Sequence, residues 1–419
     1  MLLKNCFYYD GKEFKEADIS INNGIIKEIK ENIVTDKDIF DASGYFVLPG
    51  MINTHSHLPM TLMRGIADSL ELRDWLFKVI FPIENKFIDE KFIEFGTTLG
   101  IIEMIKNGIT SSVEMYYLPK IMAKTFKKYG FRGYIGIGSG DESERDKKKA
   151  VDFIENFKND ELITPSPFAH AIYTTNEKNL IWVKELSDKY NLPYQFHLLE
   201  TQEENKNFFK KKHKNLLPYL RDLGFLSNRL IAAHSVWLSD EDIDILSEFS
   251  VTVSHNPGSN LKLNSGIMKL RTLVDKGVNI TIGTDGAASN NSLSLLAEMN
   301  LAAKLHYIKS SIPAKVSEIF DMVTKNPSKI LDGKIGTIKV GNKADLIFLK
   351  KRSYSMLPGF NPISNLVYSL PSEAVDSVMI NGVFVMKNRK LTMIEEDDFY
   401  RELEIYLQKI DIRGYLNKI

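Results

Sequence analysis

Cysteine is almost absent: Cys6 stands alone among 419 residues. No disulfide can form within the chain, and no thiolate cluster can hold a metal. An excess of charge is also lacking. Lys+Arg and Asp+Glu both number 54, a formal net charge of zero. That argues against nucleic acid or an anionic membrane as a partner held by bulk electrostatics. The basic run Lys210-Lys-Lys-His-Lys214 reads as a solvated helix face. No stretch reaches the roughly 18 apolar residues of a membrane span. The opening MLLKNCFYYDGKEF shows no charged segment followed by a long apolar core. A cytoplasmic protein is the expectation.

What remains is a soluble globular composition, 43% hydrophobic and 26% charged. The chain is too long for one ordinary core, so one large domain with an appendage, or two domains, is expected. Both ends read as short strands. At the start these are Leu2–Tyr8, Asp18–Ile21 and Ile25–Ile29. At the end they are Gly336–Gly341, Ala344–Leu349, Val375–Ile380 and Val383–Met386, with Asn381-Gly382 as a hairpin signal. Two strand-rich ends can complete one small sheet domain.

Between them apolar runs alternate with helical patterns. The runs are Tyr45–Ile52, Ile109–Val113, Tyr134–Ile137, Pro167–Ala171, Tyr194–His197, Leu230–Ala233, Val251–Ser254 and Val278–Ile282. Helical candidates include Asp89–Lys106, Lys147–Phe157, Glu177–Tyr190 and Asp240–Glu248. About eight such units over roughly 280 residues predict a (β/α)₈ barrel. The expected divisions are 1–50 for the first part of a β-sandwich, 51–335 for the barrel, and 336–419 for the rest of the sandwich with a terminal helix.

The chain has eight histidines. His55, His57, His170, His197, His234 and His255 fall at or just beyond candidate strand ends, where a barrel carries its active site. Only His213 and His306 lie in helical, charged surroundings. A lone histidine after a strand, such as His170 or His255, is usually a hydrogen-bonded loop residue. His55-x-His57 differs, because alternation in a strand points both rings the same way. Both imidazoles can then bind one metal ion at about 2.1 Å. His197 supplies a third nitrogen and Asp285 an oxygen. An ion held this way keeps an open position for water when the site is catalytic.

The segments Pro49–His57, Pro59–Gly65, Trp75-Leu-Phe, Pro82-Ile-Glu84, His197-Leu-Leu-Glu-Thr201, Ala232-Ala-His234, Ser254–Leu263 and Gly283–Asn291 resemble the amidohydrolase superfamily. Within it they resemble the 5′-methylthioadenosine/S-adenosylhomocysteine deaminases, over nearly the whole chain. The resemblance implies a barrel with a β-sandwich built from both termini. It implies one divalent metal, usually zinc with iron as the other candidate, on His55, His57, His197 and Asp285. The fourth run ends Ala169-His170-Ala-Ile-Tyr173 and offers no bridging lysine, so a single metal is expected. Hydrolytic deamination of a purine nucleoside then assigns roles. Asp285 takes the proton of water, His234 orients that water, and Glu200 protonates ring N1. The bland reading of Glu200 is an exposed loop carboxylate, since Gln202, Glu203 and Glu204 follow it.

For substrate, Trp75 either lies against the ligand or belongs to the core, given helical spacing with Leu72, Leu76 and Val79. Glu84 holds the ribose hydroxyls by resemblance, or caps the next helix. His170 resembles a residue that contacts substrate, whereas Asn290 and Asn291 fix the loop after Asp285. Relatives that accept S-adenosylhomocysteine carry arginines after the third strand. Here Ile137 stands at the first such place, and Arg145 is at best the second. A bidentate arginine clamp is hard to replace, so adenosine, 5′-deoxyadenosine or 5′-methylthioadenosine fit better. Rival readings are a guanine or cytosine deaminase, a triazine-type hydrolase, and a metal-binding protein without chemistry. Family members commonly assemble, which leaves a homo-oligomer open.

Overall fold

The computed structural model describes residues 1–34, 38–138 and 144–416. Eight parallel strands form the central sheet. They are β1 (Met51–His57), β2 (Ile109–Glu114), β3 (Arg132–Ile137), β4 (Ile163–Ala171), β5 (Tyr194–Leu198), β6 (Leu230–His234), β7 (Thr252–His255) and β8 (Asn279–Ile282). Each pairs with the next in sequence order. After β8 the chain makes a ninth short strand, Asp285–Gly286, which pairs with β1 through Asp285 and Ser56. That last pairing curls the sheet round to its beginning, as a (β/α)₈ barrel requires.

The helices outside follow from local sequence signals. Asp89 caps Glu90–Lys106 by accepting from the Phe92 amide, and Asn176 caps Glu177–Tyr190 by accepting from Asn179. Ser239 opens Asp240–Glu248 with a reciprocal capping box to Asp242. Between β1 and Glu90–Lys106 the chain runs through Leu72–Asp74, a wide π turn at Trp75–Ile80, and Phe81–Phe87. Such turns occur mostly at functional sites.

A second sheet takes strands from both ends of the chain. Leu2–Tyr9, Phe14–Asn22, Ile25–Lys30, Ile39–Asp41 and Tyr45–Pro49 join Leu346–Lys350, Val375–Ile380, Val383–Lys387 and Lys390–Leu391. Most of its pairs are antiparallel. It has its own core of Leu3, Cys6, Ile19, Ile21, Val47, Leu346, Phe348 and Met379. Arg132 on β3 ties the barrel to it. Its Nε and Nη2 donate to Asp345 at 2.7 and 3.0 Å, and both side chains are buried.

Two expectations need correction. The apolar run Tyr45–Ile52 is not one barrel strand. Tyr45–Pro49 pairs antiparallel with Leu346–Lys350 in the terminal sheet, and the barrel strand starts at Met51. Gly50 is the joint, and a Cβ there would fall 2.2 Å from the Thr110 hydroxyl. Gly336–Gly341 forms turns and bends, not a strand. Both of its glycines take positive φ, 73° and 91°, which breaks the extended line.

Candidate metal and substrate site

Alternation along β1 sends His55 and His57 into the barrel mouth. His197 reaches the same place from β5, and Asp285 from the turn after β8. The four side chains are buried, and one donor atom from each lies within 4.8 Å of the other three. His55 Nε2 stands 3.1 Å from His197 Nε2, and Asp285 Oδ1 is 3.1 Å from His57 Nε2 and 3.5 Å from His55 Nε2. Donors bonded to one tetrahedral ion at about 2.1 Å sit roughly 3.4 Å apart. Among the described residues this is the only such grouping.

The donors are aimed by their other contacts. His57 Nδ1 meets the Met115 carbonyl, and His197 Nδ1 meets the His170 carbonyl at 2.8 Å. A carbonyl only accepts, so both Nδ1 atoms carry the proton and both Nε2 lone pairs face the site. Asp285 Oδ2 accepts from the hydroxyls of Ser259 at 2.6 Å and Ser289 at 2.8 Å, which leaves Oδ1 for the site. Burial lowers the pKa of His55 to about 4 and that of His197 well below its ordinary value. Burial opposes ionisation of Asp285, but His55 and His57 outweigh it and hold the carboxyl far below its usual range. His55 and His197 held toward neutrality beside an ionised carboxylate suit a divalent cation; at His57 burial also acts downward, but Asp285 and the Met115 carbonyl outweigh it and push the imidazole upward.

Glu200 and His234 stand beside the quartet. Glu200 is buried, and its Oε2 lies 3.6 Å from His234 Nε2. Burial pushes the Glu200 carboxyl upward, against His234 and a 3.0 Å bond from the Ser265 hydroxyl. His234 Nδ1 lies 2.8 Å from Asn260 Oδ1. An amide oxygen accepts, so Nδ1 carries the proton and Nε2 presents a lone pair. His234 has φ 70°, Leu199 46° and Asp285 59°, a cluster of left-handed non-glycine residues at the barrel mouth. Such backbone strain gathers at functional sites.

These groups open onto a cavity of about 330 Å³ whose wall includes His57, Trp75, Glu84, His170, His197, Glu200, His234 and Asp285. All the sequence-predicted site residues therefore converge, except Asn290, Asn291 and Arg145. Asn290 Nδ2 donates to the Thr284 carbonyl at 2.7 Å, and Asn291 Oδ1 accepts from Lys262, so both fix the loop as expected. Arg145 is exposed and absent from the cavity wall. Trp75 is both core and wall: it is buried, and its indole N–H has no partner among the described residues. Glu84 lies within Phe81–Phe87 and caps nothing. It accepts from the Tyr116 hydroxyl at 2.6 Å, and burial lifts its carboxyl to about 7. Sequence reasoning missed Ser259, Ser289, Asn260, Ser265, Glu204 and Tyr116. Most of their partners are remote in sequence, but Ser289 and Glu204 stand four residues from Asp285 and Glu200, and the segments Ser254–Leu263 and Gly283–Asn291 already contained Ser259, Asn260 and Ser289.

Comparison with known proteins agrees with this geometry. The amidohydrolase family matches residues 46–385. A 5-methylthioadenosine/S-adenosylhomocysteine deaminase of Pyrococcus furiosus is 40% identical, over 96% of this chain and 100% of that one. A 5′-deoxyadenosine deaminase of Methanocaldococcus jannaschii is 38% identical, over 96% and 98%. The crystal structure of an adenosine deaminase from Xanthomonas campestris with bound zinc superimposes with a TM-score of 0.93 at 29% identity, covering 98% of both chains. A barrel of eight parallel strands, three histidines and an aspartate at its mouth, and a sheet drawn from both termini place this chain in the amidohydrolase family.

Proposed function

We propose that the chain is a zinc-dependent deaminase of an adenosine-type nucleoside, giving the inosine analogue and ammonia. The observation that carries this reading is the pairing of Glu200 and His234, 3.6 Å apart, beside the donor quartet on one cavity wall. His55, His57, His197 and Asp285 would hold a divalent cation, which would lower the pKa of a water there from about 15.7 to about 7. Asp285 Oδ1 accepts the proton of that water. His234 Nε2 accepts a hydrogen bond from it and aims it at C6. Burial pushes the Glu200 carboxyl upward, which favours the proton it delivers to ring N1 as C6 becomes tetrahedral. The proton held by Asp285 passes to the amino group, the C6 hydroxyl proton returns to Glu200 as C6=O forms, and the C6–N bond breaks to release ammonia.

Glu84, with Tyr116 behind it, takes the ribose hydroxyls, and Trp75 and His170 flank the ligand. The 5′ group is small or apolar. No lysine or arginine lines the cavity among the described residues, and residues 139–143 are Ser-Gly-Asp-Glu-Ser. An amino-acid carboxylate has no clamp there.

The test is ammonia release by the zinc-loaded chain at pH 7 from adenosine, 5′-deoxyadenosine, 5′-methylthioadenosine, S-adenosylhomocysteine, guanine and cytosine. The expected order puts the first three well above S-adenosylhomocysteine, with the free bases inert. Faster release from guanine or cytosine overturns the nucleoside reading. Equal turnover of S-adenosylhomocysteine and 5′-methylthioadenosine overturns the 5′ assignment. Glu200→Gln should abolish turnover and leave the metal bound.

A further inference from the structure

We infer that Glu204 is a positioning residue that acts through Glu200, an inference that rests on the acid role proposed above. Gln202, Glu203 and Glu204 look alike in sequence, but the fold separates them. Gln202 and Glu203 are exposed, whereas Glu204 is buried in the first turn of Gln202–Lys212. Its Oε1 accepts from the Leu199 amide at 3.0 Å, and its Oε2 from the Glu200 amide at 3.0 Å. One carboxylate thus bridges two successive backbone N–H groups, one of them that of Glu200 itself.

Those two amides need the bridge because of the turn they occupy. β5 ends at Leu198, and Leu199 then takes φ 46°, a conformation a leucine rarely adopts. The carbonyl sides are pinned from the loop after β6. The Leu198 carbonyl accepts from the Ser235 amide, and the Leu199 carbonyl from the amides of Val236 and Trp237. Glu204 pins the N–H sides. These bonds hold the backbone of Glu200 in place, and its side chain reaches both His234 and Ser265. Glu204 never lines the cavity. Its direct bond to the Glu200 amide is the route by which it acts on the chemistry.

Glu204→Gln keeps size and turns an NH₂ group toward one of the two N–H donors. One amide loses its acceptor and the turn shifts. Misplacement of a reacting group by about 1 Å can cost roughly 10²-fold in rate. Glu204→Gln should therefore lower kcat at least about ten-fold, leave KM within about two-fold, and leave one zinc bound per chain. The decisive experiment is a double-mutant cycle with Glu200→Gln. A group that acts only through Glu200 adds nothing once Glu200 cannot donate a proton. Glu204→Gln should therefore change the residual turnover of Glu200→Gln by less than about two-fold. Binding of a nucleoside analogue with a tetrahedral, hydroxylated C6 reads the same cycle where residual turnover is too slow.

Equal fold-losses in both backgrounds overturn the inference and make Glu204 a structural residue. A kcat within about two-fold of the parent overturns it as well. Full turnover in Glu200→Gln alone is a different failure, that of the acid assignment. Should Glu204→Gln not fold, Glu204→Asp, which keeps the carboxyl group and shortens the reach, carries the same cycle.

Discussion

Removing the Ser259 hydroxyl should weaken the metal site without touching a ligand. Ser259 Oγ donates to Asp285 Oδ2 at 2.6 Å, and no other acceptor among the described residues competes for its hydrogen. Ser289 Oγ reaches the same oxygen at 2.8 Å, but its single hydrogen is shared with the Gly286 carbonyl at 3.0 Å. A hydrogen bond to a charged group contributes about 1.5–3 kcal/mol. At about 1.4 kcal/mol per factor of ten, its loss is worth roughly ten- to a hundred-fold in affinity, the range seen when partners of metal ligands are removed. Ser259→Ala should thus weaken zinc roughly ten- to a hundred-fold, and Ser289→Ala by less. The assay is competition for zinc against a chelator of known affinity, with far-ultraviolet circular dichroism to show that the apo chains are folded. Zinc affinity of Ser259→Ala within about two-fold of the parent, or a larger loss in Ser289→Ala, would refute the reasoning.

Other outcomes follow from the same contacts. The Ser265 hydroxyl favours the ionised form of Glu200, so Ser265→Ala should raise the Glu200 pKa further. The protonated acid then persists to higher pH, and the alkaline limb of kcat/KM should move up; a limb that stays or moves down contradicts the proton-donor role. Asp345→Asn breaks a buried bidentate pair with Arg132 and leaves the guanidinium uncompensated. It should lower stability by about 3–5 kcal/mol in urea unfolding, and an unchanged midpoint would show that the link between barrel and terminal sheet is dispensable.

The features legible in the sequence are those with a short period. His55 and His57 advertise a shared ligand because a strand repeats every two residues, and the barrel mouth gathers whatever follows each strand. Asp240–Glu248 and Glu177–Tyr190 begin and end where the pattern sets them, because their caps sit next to them in the chain. The join at Gly50 was illegible, since an apolar run does not record which sheet each half pairs with. Glu204 was hidden among three similar residues, because only helix phase and the path of β5 decide which one turns inward. Ser259 and Ser289 lie on different short helices, Pro257–Lys262 and Ala287–Asn290, and both meet at Asp285.

The central claim is that one cation on His55, His57, His197 and Asp285 makes the chain a deaminase. It is tested most directly by stripping the metal, adding zinc back stepwise, and following ammonia release from 5′-deoxyadenosine against zinc bound per chain. Turnover should be absent in the stripped protein, rise in proportion to bound zinc, and saturate at one ion per chain. Full turnover in the stripped chain, or saturation only at two ions, would contradict the account.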